Sequence, residues 1–487
     1  MIRTKTVITL GPASSSEDVL LNLIEAGGDV FRFNFSHGTL EEHGAILANV
    51  RAAAARSGRV VATLGDLCGP KIRIGDIAND RFMIAPGDEI IIQRDAVEGT
   101  PERLSCNYPA LIDEVKPGHR LLIDDGNVTL RVRQQQDNEL LCVCEIGGEL
   151  SNHKGVNLPD SQLSTPTLTD KDRKDLQWAI ENDLDFVALS FVRTPDDVRT
   201  LRSIIDRSDT SIQVISKIEK PEAIVHLRDI IDLSDAVLVA RGDLGVEMDL
   251  ARVPVVQKEI SLLCRQMGKP VIIATQMLQS MVNSPVATRA EVSDVANAIL
   301  DHADAVMLSA ETSIGKYPVE TIRTIQRIAR ETELFGERHM DDLESNRQLE
   351  PETTTAMVRA ASETAREVRA KLIVAWTRYG NAGRLLSKHR PLQPIIALTP
   401  NDKVCRRMTL LYGTVPVSME QADDLVTMFN DVDRYLLDAD LVQVGDRIVV
   451  LTGSQLARPG ETNALYIHVV GHGDCELPLI PGKGAMA

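Results

Sequence analysis

The sequence has no apolar run approaching the length of a bilayer span, so nothing in it argues for membrane insertion. It also lacks net positive charge. Its 53 Lys and Arg against 70 Asp and Glu leave a formal charge of -17, which opposes nucleic-acid binding because a phosphate backbone demands a basic face. An anionic small molecule must therefore meet locally concentrated Arg and Lys. The opening Met1-Ile2-Arg3-Thr4-Lys5-Thr6 has no apolar stretch of the signal-peptide kind and runs straight into a strand-like segment, so a cytoplasmic location is expected. No Gly-rich loop leads into Lys-Thr or Lys-Ser, which argues against a P-loop kinase. The cysteines (Cys68, Cys106, Cys142, Cys144, Cys264, Cys405 and Cys475) are odd in number, scattered and without zinc-type pairing, and are read as reduced thiols. Cys142 and Cys144 fall in a strand-like stretch, 140–146, where core packing is the expectation.

What is present is a long chain with regular rhythm. Its 487 residues exceed one ordinary core, so two or three domains are expected. Eight short β-branched or apolar runs, at 6–10, 29–33, 60–64, 185–189, 212–216, 236–240, 270–274 and 305–308, are mostly followed by helical patterns, the βαβ rhythm of a parallel sheet. Thr194-Pro195-Asp196-Asp197 offers an N-cap, a first-turn proline and two acids before apolar residues at helical spacing. Thr288 and Glu291 have capping-box spacing ahead of Val292, Val295, Ala296 and Ile299, which predict a buried stripe. Eight strand-helix units favour a TIM (β/α)8 barrel over an open sheet. The gap between the third and fourth strands is too long for one connection. Its turns (Pro86-Gly87-Asp88, Lys116-Pro117-Gly118, Asp124-Asp125-Gly126-Asn127) predict an all-β lid at 71–163, inserted into a catalytic domain of 1–70 and 164–340. After an acid-rich linker, 352–487 reads as a C-terminal α/β domain.

In such a barrel the loops past the strands build the site, and the polar groups collect there. Strand two ends in Arg32-Phe33-Asn34-Phe35-Ser36-His37-Gly38, strand three in Asp66, strand five in Lys217-Ile218-Glu219, strand six in Arg241-Gly242-Asp243, strand seven in Thr275-Gln276 and strand eight in Ser309-Ala310-Glu311. Strand alternation predicts that Lys217 with Glu219, Arg241 with Asp243, and Arg32 with Asn34 point inward together. A cationic pocket flanked by acids suits a phosphorylated substrate and a divalent ion bridging carboxylates to substrate oxygens. Taken singly, each pair is equally well a structural salt bridge.

At these residues the sequence resembles the pyruvate kinase family over nearly its whole length. Ile212-Gln213-Val214-Ile215-Ser216-Lys217-Ile218-Glu219-Lys220-Pro221-Glu222 is similar to the family's active-site signature. Arg32 to Gly38, Gly69-Pro70-Lys71-Ile72-Arg73, Ala240-Arg241-Gly242-Asp243-Leu244-Gly245-Val246-Glu247 and Ala274-Thr275-Gln276-Met277-Leu278 agree as well. The resemblance implies phosphoryl transfer from phosphoenolpyruvate to ADP, giving pyruvate and ATP, in a homotetramer. It implies Glu219 and Asp243 as ligands of Mg²⁺ or Mn²⁺. Arg32, Arg73 and Lys217 would surround the phosphoryl group, with Lys217 as transition-state stabiliser. Thr275 and the backbone N–H groups of Gly242 and Asp243 would take the substrate carboxylate, and Ser309, Thr275 or an ordered water would relay the proton to the enolate. On the nucleotide side it implies Arg73, His37, Asn34 and Lys154, a lid-exit lysine whose alternative is a solvated loop residue.

One departure concerns a monovalent ion. Asn34, Ser36, Asp66 and the Leu67 carbonyl match the family's K⁺ ligands, but Lys71 stands where K⁺-requiring members typically carry Glu, so K⁺ is expected not to be required. In the C-terminal domain the resemblance implies a phosphorylated effector, with sugar monophosphates, AMP and fructose 1,6-bisphosphate all open. Thr377, Arg378, Gly380, Asn381 and Arg384 would form one loop and Arg458 a second. The competing readings are another Mg²⁺-dependent phosphoenolpyruvate or pyruvate enzyme on a TIM barrel, such as a carbon-carbon lyase, and a non-catalytic metabolite sensor on the same fold.

Overall fold

The computed structural model describes residues 1–161, 163–208, 210–339, 353–453 and 462–471. Eight parallel strands, Lys5–Thr9, Val30–Asn34, Ala62–Asp66, Phe186–Leu189, Gln213–Ile218, Ala236–Ala240, Val271–Ala274 and Ala305–Leu308, close into a barrel, each pairing its sequence neighbour and the first pairing the eighth. The third and fifth strands run two residues beyond their sequence-predicted ends, so Asp66 and Lys217 lie within the ladder. Polar side chains there look like loop by composition. They stay in the strand because they face the barrel mouth, where they pair with one another.

Two apolar shells hold the barrel. The outer one packs strand residues such as Phe31, Phe33, Val187 and Val239 against the helices, and the inner one stacks Leu64, Phe186, Ile215, Leu238 and Met307 inside it. The expected helices are present as Pro195–Ile205 and Arg289–Leu300, the latter with Thr288 and Glu291 forming a capping box. Val292 is 38% exposed and does not join the buried stripe, which Val295, Ala298 and Ile299 make instead.

At the N-terminal end of the barrel a pattern repeats. Asp29, Asp185, Asp235 and Asp304 immediately precede the second, fourth, sixth and eighth strands, and each accepts a backbone N–H from the strand before, from Thr6, Thr63, Val214 and Val271 respectively. These carboxylates substitute for ladder carbonyls at the start of alternate strands, and each has a cation beside it. Lys5 and Arg59 flank Asp29, Arg202 pairs with Asp235, Arg406 with Asp185 and Lys388 with Asp304.

Between the third and fourth barrel strands lie a two-stranded sheet (Arg81–Ile84 with Gly148–Ser151) and a six-stranded sheet that includes Glu89–Gln93, Arg120–Ile123, Val128–Gln135 and Glu139–Ile146. They enclose their own core, in which Cys142 and Cys144 are buried; desolvation pushes the Cys142 thiol up to about 12. The six described cysteines are all free.

The C-terminal body carries a five-stranded sheet ordered Thr414–Ser418, Ile395–Thr399, Ile373–Trp376, Arg447–Thr452, Ala464–Val469, the last strand antiparallel. It docks beneath the barrel. Leu410, 1% exposed, joins the inner shell of the barrel, a burial worth about 1.5 to 3 kcal/mol. Lys5 Nζ donates to the Thr414 carbonyl at 2.8 Å, and Arg390 to the Ala303 carbonyl at 2.6 Å. No helix among the described residues is long and apolar enough to cross a membrane.

Candidate active site

The opposite, C-terminal mouth of the barrel gathers Arg32, Asp66, Lys217 and Glu219 into one charged chain. Arg32, on the second strand, donates through Nε to Asp66 Oδ2 at 2.7 Å and through Nη1 to Thr9 Oγ1 at 2.8 Å. Asp66 ends the third strand at 1% exposure, and its other oxygen lies 3.3 Å from Lys217 Nζ. Lys217 Nζ continues to Glu219 Oε1 at 2.8 Å and donates to Ser190 Oγ at 2.7 Å. Glu219, 2% exposed, accepts the Phe191 N–H on its second oxygen at 2.8 Å.

The titration of these groups follows from their crowding. Burial alone would lift Asp66, but the charges of Lys217 and Arg32 outweigh it and hold the carboxyl below its usual value. Desolvation works against the Lys217 ammonium, yet Asp66 and Glu219 beside it keep it protonated, its pKa raised overall. Glu219 goes the other way. Its burial raises it, Lys217 offsets part of the rise, and the negative charge of Asp243 adds to it.

Asp243 acts from the first turn of the helix Arg241–Glu247, which begins directly where the sixth strand stops. That helix corrects one expectation. Strand alternation does not extend past Ala240, and Arg241 turns away to Asp294 at 2.7 Å and to the Thr275 carbonyl at 2.9 Å, leaving Asp243 to face the chamber without it. Gly242 donates its N–H to Thr275 Oγ1 at 2.7 Å, and a Cβ at Gly242 would stand only 3.3 Å from that oxygen. Thr275 Oγ1 in turn donates to the Ala274 carbonyl at 2.6 Å. Ser309 follows the eighth strand with its N–H on Glu311 Oε2, while Glu311 Oε1 accepts the Leu278 N–H, so one buried carboxylate ties together the turns after strands seven and eight. Phe191, Thr275 and Gln276 hold φ of 55°, 72° and 55°, left-handed values that place backbone strain at this mouth.

Facing the chamber, the His37 imidazole is pushed down by partial burial and then by Arg73, Lys71 and Arg32, so these cations cluster on one side. Arg73 sits on the inserted body with Nη1 on the His153 carbonyl at 2.8 Å. Lys154 is bound within that body too, to Asp124 at 2.7 Å. Asn34 Oδ1 accepts the Ser36 N–H at 3.2 Å, and the Leu67 carbonyl accepts the Ser190 hydroxyl at 2.7 Å. Distant from all of these, Arg384 bonds the Gly268 carbonyl and Asn381 Oδ1, Gly380 takes φ 84° with its N–H on Thr377 Oγ1, and Arg378 is exposed. Arg458 lies outside the described residues.

Thr9, Ser190 and Phe191 belong to this network and were missed from sequence. They come from strand one and from the exit of strand four, and the rule that found the others, applied to those two strands, reaches them.

Two cations, Arg32 and Lys217, stand against three carboxylates, Asp66, Glu219 and Asp243, leaving the inner chamber short of positive charge for an anionic substrate. The repulsion between Glu219 and Asp243, which Lys217 offsets only in part, fits a divalent cation. Among the described residues no cluster of three or more His, Cys, Asp or Glu side chains could hold a metal, so such an ion would complete its shell with water and substrate oxygens.

A family model for the pyruvate kinase barrel domain matches residues 1–322, and one for the pyruvate kinase alpha/beta domain matches residues 355–468. The chain belongs to the pyruvate kinase family. The pyruvate kinase of Corynebacterium efficiens is 43% identical over 477 residues, covering 98% of this chain and 99% of that protein. The pyruvate kinase of Geobacillus stearothermophilus is 42% identical over 473 residues, covering 96% of this chain and 80% of that one. A solved pyruvate kinase from Cryptosporidium parvum, 34% identical, superposes with a TM-score of 0.89 over 96% of both chains. Full-length kinship at this level makes the chain a phosphotransferase, and pyruvate kinase chemistry implies a divalent metal, phosphoenolpyruvate and ADP.

Proposed function

We propose that the phosphoryl group of phosphoenolpyruvate passes to ADP in the chamber at the C-terminal mouth of the barrel, with Lys217 as the residue that stabilises it in flight. The observation that carries this reading is the Lys217 ammonium, buried between Asp66 and Glu219 on the same chain of contacts as Arg32. Phosphoryl transfer asks for positioning and charge neutralisation more than for covalent chemistry, and a fixed ammonium in a dry site supplies both. Arg32 and Lys217 hold the phosphoryl oxygens. The Gly242 and Asp243 N–H groups and Thr275 take the carboxylate, which requires the Gly242 N–H to leave Thr275 Oγ1 and the Thr275 hydroxyl to leave the Ala274 carbonyl. Arg73, His37 and Asn34 serve the nucleotide, joined by Lys154 once it leaves Asp124. Glu219 and Asp243 would hold Mg²⁺ or Mn²⁺, which when bound supplies Lewis acidity and a template for the substrate's oxygens. Residues 71–163 act as a lid whose closure excludes water and strengthens the field inside.

A coupled assay of pyruvate formation from phosphoenolpyruvate tests this directly. Turnover is expected with ADP and absent without it; pyruvate release independent of ADP would sink the reading.

We also propose that turnover needs no K⁺. Asp66, Leu67 and Asn34 are already engaged with Arg32, Lys217, Ser190 and Ser36, and Lys71 adds its charge beside His37. Rates in K⁺-free and K⁺-containing buffer are expected to agree; a large stimulation by K⁺ would overturn the proposal.

For the C-terminal body we propose an activating phosphorylated metabolite, a sugar phosphate or AMP, bound at the loop before the Asn381–His389 helix in a homotetramer. Arg384 reaches from that helix to the Gly268 carbonyl of the barrel, which gives an occupied loop a physical route to the catalytic domain. Arg384→Ala or Arg458→Ala is expected to shift the activation curve to higher effector concentration. Unchanged curves for both, across candidate metabolites at sub-saturating phosphoenolpyruvate, would exclude this site.

A further inference from the structure

Glu247 closes the helix Arg241–Glu247 whose first turn presents Asp243, and one oxygen of its buried carboxylate serves two donors. Lys220 Nζ donates to Oε1 at 2.6 Å, and Asn157 Nδ2 donates to the same atom at 2.7 Å. Lys220 directly follows Glu219, and its ammonium stands 6.0 Å from the ring centroid of Phe191, whose N–H is bonded to Glu219. Asn157 belongs to the short strand Val156–Asn157, which pairs with Arg120–Ile123 in the inserted body just before the chain returns to the barrel. A single oxygen thus meets the returning lid segment, the exit of the fifth strand and the helix of the sixth. The same segments line a cleft that includes Pro70, Lys71, Asn157, Phe191, Lys220 and Asp243.

A buried Lys-Glu pair would serve the barrel alone without a lid partner. Here the lid supplies the second donor, so a swing of the lid changes how firmly Glu247 is held, and Glu247 is built into the helix that aims Asp243. We infer that Glu247 is a positioning residue that sets the relative placement of Glu219 and Asp243 and, through Asn157, links it to the position of the lid. The inference rests on Glu219 and Asp243 as the divalent-cation pair.

The test uses the full-length protein with Mn²⁺ as probe, its binding followed by electron paramagnetic resonance without substrates, alongside steady-state kinetics. Glu219→Gln is the reference and should lose Mn²⁺ binding; if it binds as the unsubstituted protein does, the metal-pair reading itself fails. Glu247→Gln is expected to weaken Mn²⁺ binding about tenfold, the usual effect of removing a group that orients a ligand. Full Mn²⁺ affinity in Glu247→Gln, with Glu219→Gln defective, overturns the inference. Asn157→Ala should change the Mn²⁺ affinity of the substrate-free protein less than about twofold yet raise KM for ADP about fivefold, an effect of the size expected for losing one typical net hydrogen bond. Asn157→Asp, which sets a second carboxylate against Glu247, should raise it further. An unaltered KM in both Asn157 variants overturns the lid link whether or not Glu247→Gln folds.

Discussion

Lys217→Met is expected to lower turnover by about 10² to 10³ or more, because one preorganised donor aimed at developing charge is worth that much in a water-excluded site. The structure makes the expectation specific. The ammonium has three partners, Asp66, Glu219 and Ser190, so its position is fixed before any substrate arrives and no reorganisation is needed when charge moves. Met preserves the length and apolar stem but removes the charge. Glu219 and Asp243 remain in place, so Mn²⁺ should still bind, and the loss should fall on kcat more than on metal affinity. Rapid turnover by the Met variant, measured with saturating phosphoenolpyruvate, ADP and Mg²⁺, would refute the assigned role. Lys217→Arg should not rescue it fully, since a planar fork cannot occupy the place of a point charge between two carboxylates.

The second large effect concerns stability. Lys388→Met is expected to destabilise the protein by about 3 to 5 kcal/mol, because it strands a buried carboxylate without its cation. Lys388 and Asp304 have side chains 1% and 0% exposed and meet at 2.6 Å where the C-terminal body presses on the N-terminal end of the barrel. Burial lowers the pKa of the Lys388 ammonium, and Asp304 offsets part of that cost, so the two groups depend on each other. The double variant Lys388→Met with Asp304→Asn keeps an acceptor for the Val271 N–H and removes the stranded charge, and it should recover most of the loss. Urea titration followed at Trp178 in the barrel and Trp376 in the C-terminal sheet reads both bodies. An unchanged midpoint for Lys388→Met would show that the pair contributes nothing to docking.

The aspartates at that end are visible in the sequence. Gly28-Asp29-Val30, Leu184-Asp185-Phe186, Ser234-Asp235-Ala236 and Ala303-Asp304-Ala305 each place an acid immediately before an even-numbered strand. Asp29 and Asp185 read as the first residues of their strands, and Asp235 and Asp304 as loop residues. Only the closed barrel shows that each accepts an N–H from one of the first two residues of the strand before, and only the docked C-terminal body supplies Lys388 and Arg406 to two of them. Arg241 teaches the reverse. Strand alternation was a sound rule for Lys217 and Glu219, but it presumed that the sixth strand continued past Ala240, where a helix begins instead.

The sequence by itself determined the barrel, the eight strand positions to within about two residues and the polar residues that crown them, because hydrophobic periodicity and strand-end placement are local properties of the chain. Tertiary structure decided which of those polar groups meet. Lys217 holding Asp66, Arg241 leaving for Asp294, Lys154 bound to Asp124 and Glu247 shared by Lys220 and Asn157 all join residues whose separation in the chain says nothing of their separation in space. A charged side chain on a buried mouth takes whichever partner the fold brings within hydrogen-bond reach, and that partner is fixed only when the barrel closes.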